Sequence, residues 1–152
     1  MPLDTEADYE RFASHLNAID PVVQPFSFRH GYTLLKWPMG GRYPNRKMHM
    51  HSGMFWKSIQ VAMDVRPDGT RFDEFYPEIP YTVFAGAWVD DCQAGLRWSA
   101  PHMTTHPMPF CQLASHLLTY LEHAHSYLAR FDESLVRSFG CSRSIGKLDS
   151  PP

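Results

Sequence analysis

The stretch from Met54 to Trp98 constrains the fold more than any other part of the chain. In Phe55, Lys57, Ile59, Val61, Met63 and Val65 every second residue but one is apolar. The interleaved Met54, Trp56, Ser58, Gln60, Ala62 and Asp64 are mostly small or polar. A period of two is that of a half-buried β-strand. Pro67-Asp68-Gly69 follows, with proline presetting φ and glycine free to take a positive φ, so a hairpin is expected here. Glu78-Ile79-Pro80 should break the second arm into two pieces. From Tyr81 the alternation resumes: Tyr81, Val83, Ala85, Ala87 and Val89 face one way, and Thr82, Phe84, Gly86 and Trp88 the other. Asp90 to Gly95 is turn-like, and Leu96 to Trp98 returns as a short strand. The pattern predicts an antiparallel meander of four to five strands.

The flanks are helical. Thr5 is a candidate N-cap, with Asp8 at the reach-back position. Tyr9, Phe12, Leu16 and Ile19 then recur at helical spacing, and Asp20-Pro21 is expected to end that helix. Phe26 to Trp37 reads as a strand, and Met39 to Lys47 as a solvated basic loop. Ser99 to Pro109 is a proline-punctuated loop. After it, Phe110, Leu113, Leu117, Tyr120, Leu121, Ala124, Leu128 and Phe131 form a broad apolar stripe on a long helix that should lie across the sheet. Asp132 caps a last short helix that Gly140 ends. The expectation is one α+β domain over 1–140, with a flexible tail at 141–152.

Composition fits this reading. A chain of 152 residues with 43% hydrophobic and 20% charged side chains can bury one core. A net charge of −2 gives no long-range field to gather nucleic acid or an anionic membrane. No apolar run approaches the roughly 20 residues of a membrane span. The opening MPLDTEADYERF has neither a basic n-region nor an apolar h-region, and Cys92, Cys111 and Cys141 show no CxxC spacing. A cytoplasmic protein without a disulfide framework is expected.

Nine histidines and 14% aromatics are the two compositional biases. In Met48-His49-Met50-His51 strict alternation places His49 and His51 on one strand face, where two imidazoles can share a divalent metal if a third ligand joins them. His102 and His106 lie among Pro101, Pro107 and Pro109, which argue against a helical chelate. His116 and His123 share one face of the long helix. No HExxH or facial-triad spacing occurs, so no cofactor is expected and a metal at His49/His51 is the alternative. Among the thiols, Cys92 lies beside Asp90 and Asp91, whose charges disfavour a thiolate. Cys111 starts the long helix, where the dipole favours one, and with His106 or His102 it makes the best nucleophile–base pair available. Asp64, Asp68, Asp73, Glu74, Glu78, Asp90 and Asp91 should give one end of the sheet a negative potential suited to a basic protein partner.

The order SGMFWKSIQV, FYPEIPYTVF, Cys92, then Trp98-Ser99-Ala100-Pro101 and a long helix resembles the ubiquitin-conjugating fold. The resemblance implies a thioester cysteine at Cys92, with Trp98 as the tryptophan that follows it. The chain departs from that family in having no His-Pro-Asn before Cys92.

Three functions follow from these residues. The first is a non-enzymatic protein-binding module, such as a small bacterial neutralising or accessory factor. It would be anchored by whichever of Trp56, Tyr76, Tyr81, Trp88 and Trp98 the fold exposes. The second is a small-molecule enzyme or binder built on His49 and His51, and the third a conjugating-enzyme-like thioester protein.

Overall fold

The computed structural model describes residues 10–39, 55–66, 69–91 and 94–131. It is α+β: helix α1 (Ala13–His30), strands β1 (Thr33–Pro38), β2 (Phe55–Met63), β3 (Val83–Asp91), β4 (Leu96–Ser99) and β5 (Met103–Thr104), and helix α2 (Phe110–Leu128), which runs into a short 3₁₀ turn at Ala129–Phe131. The sheet order is β1-β2-β3-β4, with β5 also pairing on β3. Outside the described residues lie Thr5 and Asp8 of the expected cap, most of the basic loop, the Met48–His51 alternation, Pro67 and Asp68, Cys92, and everything after Phe131.

The sheet is mixed, which corrects the expected all-antiparallel meander. β1 runs parallel to β2, from Thr33 opposite Ser58 to Pro38 opposite Met63. The chain between Pro38 and Phe55 is longer than the dozen or so residues that a parallel crossover needs. β2 pairs antiparallel with β3, from Phe55 opposite Asp91 to Met63 opposite Val83. Of the predicted turn only Gly69 lies among the described residues: it has φ +77° and donates its N–H to the Arg66 carbonyl at 3.1 Å, and Phe72 N–H reaches the Val65 carbonyl at 3.0 Å. These bonds do not close the ladder, however. Residues 69–82 form an excursion from it, and the hairpin neck is the Asp64 N–H to Thr82 carbonyl bond. The ladder ends at Met63 opposite Val83, both of which present an apolar side chain to the core.

The first helix is longer than Asp20-Pro21 suggested. It passes through Pro21 and Pro25 and ends at Gly31, φ +74°, with Tyr32 N–H donating to the Ser27 carbonyl at 2.9 Å. The segment Phe26–His30, expected as strand, is therefore helix, and β1 starts only at Thr33. Phe12, Leu16, Ile19, Val23 and Phe26, spaced four and three apart, are all buried. An interior proline costs about 3 kcal/mol in an isolated helix. Fully burying each of several large apolar side chains contributes about 1.5–3 kcal/mol, so the stripe wins and both prolines sit on the exposed side.

Both helices cover the same sheet face. Ile59, Val61, Met63, Val83, Ala85, Ala87 and Val89 join Ile19, Val23, Phe26, Leu113, Leu117, Leu121 and Leu128 in one core. The α2 stripe is as the sequence predicts, but the strands are not half-buried: on the face turned from the helices Ser58, Ala62, Gly86, Trp88 and Asp90 are buried as well. The Ser99–Pro109 segment is not wholly loop: Met103–Thr104 pairs with Phe84 and Ala85.

The 69–82 excursion is fastened to the start of α1. Arg11 Nε donates to Asp73 at 2.7 Å, Phe75 N–H donates to Ser14 Oγ at 3.1 Å, and His15 Nε2 meets the Phe72 carbonyl at 2.7 Å. His15 is fully buried, ringed by Phe12, Phe75 and Tyr81 at 5.6–6.2 Å between centroids. With a carbonyl as its neighbour, Nε2 must carry the proton, and Nδ1 has no partner.

Candidate site on the helix-free sheet face

Residues alternate across a sheet, so the positions that do not face the helices share the opposite face. The registers arrange them in rows across the strands. Trp56, Asp90 and Arg97 form one row, and Thr33, Ser58, Trp88 and Ser99 the next. Leu35, Gln60 and Gly86 follow, then Trp37, Ala62, Phe84 and Thr104. Among the described residues no helix lies on this face.

At its β4 edge Arg97, from the exposed side of that strand, is clasped by Asp90. Its Nε meets Asp90 Oδ1 at 2.6 Å and its Nη2 meets Oδ2 at 3.2 Å. Trp88 Nε1–H donates to the same Oδ2 at 3.0 Å, and the Arg97 guanidinium lies 4.8 Å over the Trp88 ring. Asp90 is 8% exposed, whereas half of the Arg97 side chain is accessible. The arginine is thus held in one orientation by a buried carboxylate and an indole, and its remaining N–H groups stay available. Asp90→Ala should lower stability by about 1–3 kcal/mol, because Trp88 Nε1–H and two guanidinium donors lose their acceptor together. Urea denaturation of the variant measures it.

Next to this clasp, Gly86 makes room. A Cβ there would collide with Gln60 Nε2 and stand 3.0 Å from His102 Cδ2, so the absence of a side chain lets the Gln60 amide and the His102 ring meet over the strand. His102 is exposed and packs edge-on against Phe84 at 5.0 Å. Ser58 is wholly buried between these rows, and its Oγ has no hydrogen-bond partner.

The predicted anchors separate sharply. Tyr81, Trp88 and Trp98 are buried at 1%, 6% and 4% exposure and serve packing. Trp98 stacks on Phe131 at 5.1 Å and Tyr81 on Phe75 at 5.3 Å. Tyr76 is exposed on the excursion, and Trp56 is half-buried on the helix-free face. Arg97, Phe84, Gln60 and His102 complete that face. Cross-strand pairing of opposite charges, Asp90 with Arg97 across the Gly95 turn, was the signal that could have found the clasp.

The other candidates fare differently. His49, His51 and Cys92 fall outside the described residues. Cys111 is exposed at the start of α2 and hydrogen-bonds to neither His106 nor His102, both also exposed. His116 and His123 line a groove of about 390 Å³ with Met103, Ser115, Thr119 and Tyr120. The Tyr120 hydroxyl donates to the Pro101 carbonyl at 2.7 Å, and burial pushes its pKa up to about 12. Among the described residues no three His, Cys, Asp or Glu side chains converge as a metal site would require. The His125 ring lies 4.0 Å from that of His30, tilted by 33°, and hydrogen-bonds the Tyr32 hydroxyl through Nδ1 at 2.9 Å. Burial, then the charges of Arg29 and Lys57, lower the His30 pKa.

Three of the seven acids of the cluster are paired: Asp90 is held by Arg97, Asp73 by Arg11, and Asp64 lies 4.0 Å from Arg66.

No family model, curated protein or solved structure matches the chain. No helix among the described residues is long and apolar enough to cross a membrane.

Proposed function

We propose that the chain is a non-enzymatic protein-binding module that reads its partner with the helix-free face of the sheet. The observation that carries this reading is the clasp of Arg97 by Asp90 and Trp88. Arginine and aromatic side chains concentrate binding energy at protein interfaces, and an arginine already fixed in orientation loses little entropy when it engages. Trp56, Phe84 and His102 surround it with apolar and aromatic area, and Gln60 adds an amide that can donate and accept. Since Asp90 compensates the guanidinium charge, the face favours a neutral surface rich in carbonyl and aromatic groups over a strongly basic one.

Capture experiments in the native host test this. The wild-type chain should retain a stoichiometric protein partner, and Trp56→Ser combined with Arg97→Glu should lose it while the circular dichroism spectrum is kept. A wild-type chain with no stoichiometric partner would count against the reading, as would a double variant that captures as well as wild type.

A further inference from the structure

The outer edge of β4 carries backbone groups that the sheet does not use. Ala100 N–H donates to the Ala87 carbonyl at 2.9 Å, which makes Ala100 and Ala87 a hydrogen-bonded pair. Such pairs alternate along an antiparallel ladder, so Trp98 with Val89 is bonded in the same way. Arg97 opposite Asp90 and Ser99 opposite Trp88 are the pairs in between, and their backbone N–H and C=O groups point away from β3. Among the described residues nothing pairs with these groups, and Arg97 and Ser99 are both exposed. Two residues further on, the Pro101 carbonyl is taken by the Tyr120 hydroxyl. Tyr120 also lines the groove that His116, Thr119 and His123 share with Met103. The open edge therefore runs from the Gly95 turn towards that groove.

We infer that this edge takes an extended segment of the protein partner as an added antiparallel strand. The inference rests on the sheet-face reading above and names what the partner presents there. Donors and acceptors repeating every second residue match the backbone of an extended chain, a pattern that no single side chain or small anion offers. Antiparallel pairing closes a two-bond ring at Arg97 and another at Ser99, across three partner residues. The outer two of those residues lie on the helix-free face, beside Arg97 and Ser99. A neutral acceptor there, such as a side-chain amide, meets the guanidinium N–H groups that Asp90 leaves unused. Residues preceding the three run past Pro101 to the groove at Tyr120. An edge strand of four residues that bears an arginine resists indiscriminate pairing, so these side-chain contacts decide which segment is accepted. So few backbone bonds hold an isolated peptide with a dissociation constant on the order of 1 mM.

The probe is a capped peptide of about seven residues, threonine and valine with one glutamine, titrated to about 10 mM against isotope-labelled wild-type chain. The amide signals of Arg97 and Ser99 should move progressively and their hydrogen exchange should slow several-fold, while the Trp98 amide, bonded within the sheet, exchanges as before. The same peptide N-methylated at the two residues that face β4 should move neither signal, and N-methylation at the residue between them should leave binding intact. Arg97 and Ser99 amides that stay put at 10 mM, or that move equally with the facing residues methylated, would overturn the inference. Slowing of the same amides with rising chain concentration alone would make a second copy the occupant and also overturn it. Ser99→Pro removes one outward N–H without touching the β3 ladder, and it should reduce capture of the native partner at least tenfold with the circular dichroism spectrum kept. Undiminished capture by a folded Ser99→Pro chain would sink the added strand and leave the sheet-face reading to stand on Trp56→Ser with Arg97→Glu.

Discussion

Leu117→Asp should leave the domain unfolded. Leu117 is completely buried at the middle of the α2 stripe, between Leu113 and Leu121, and that stripe joins Val83, Ala85, Ala87 and Val89 of the sheet in one core. A carboxylate placed there either remains charged without a partner or takes up a proton and stays unsatisfied, while the leucine's own burial is lost. The combined penalty of more than about 5 kcal/mol is comparable to the whole stability of an ordinary domain, about 5–15 kcal/mol. Leu118→Asp, one position along the same helix at a site 40% exposed, should change stability by no more than about 0.5 kcal/mol. Far-ultraviolet circular dichroism and urea denaturation of the pair measure both. A folded Leu117→Asp chain with a wild-type transition would show that α2 does not pack as described.

His15 should give the second-largest effect, and one that depends on pH. Burial lowers its pKa below the ordinary 6.5, against the opposing pull of the Phe72 carbonyl and the Asp73 carboxylate. Its surroundings are three aromatic rings and that carbonyl, with Asp73 already paired to Arg11 and the Tyr81 hydroxyl accepting the Tyr76 N–H. Above pH 6.5 both folded and unfolded chains hold a neutral imidazole, and the contribution is fully present. As pH falls below 6.5 the unfolded chain takes up the proton first, so stability drops by up to about 1.4 kcal/mol per pH unit until the folded pKa is reached. His15→Gln keeps a donor but cannot be protonated, so the slope of stability against pH just below pH 6.5 should be smaller than in the wild type. The lowered His30 contributes a slope of the same sign in both chains and cancels from the difference. At neutral pH His15→Ala should cost about 2–4 kcal/mol, through the cavity and the Phe72 carbonyl left without its donor. Equal slopes for wild type and His15→Gln would mean that the imidazole is not held neutral by burial.

What could be read from the sequence follows from how local each signal is. The side of β2 and β3 that meets the helices was legible from alternation over nine residues, whereas the burial of Ser58, Ala62, Trp88 and Asp90 on the other side was not. The α2 stripe was legible because Leu113, Leu117, Leu121 and Leu128 share one side of a helix. The length of α1 is not legible locally, because Asp20-Pro21 reads as a helix end. The stripe that continues through Val23 to Phe26 carries more free energy than the missing hydrogen bonds. The parallel pairing of β1 depends on a crossover and leaves no trace in its own six residues. Tyr81, Trp88 and Trp98 looked like recognition anchors because side-chain type does not report burial. Their positions decide it: Trp98 against Phe131, Tyr81 against Phe75 and His15, and Trp88 beneath Arg97. His15 could have been found, since it lies on the helical stripe with Phe12, Leu16 and Ile19, where a polar residue needs a partner. The cross-strand pairing of Asp90 with Arg97 was equally open to sequence reasoning.

Recognition through the helix-free sheet face is the central claim, and footprinting tests it most directly. Hydroxyl-radical labelling of the chain, alone and in complex with its captured partner, compares the two sides of the molecule in one experiment. Binding should protect Trp56, Phe84 and His102 and leave Phe28 and Leu118 labelled as in the free chain. Protection of Phe28 or Leu118, with Trp56 and Phe84 unchanged, would place recognition on the helices and contradict the assignment.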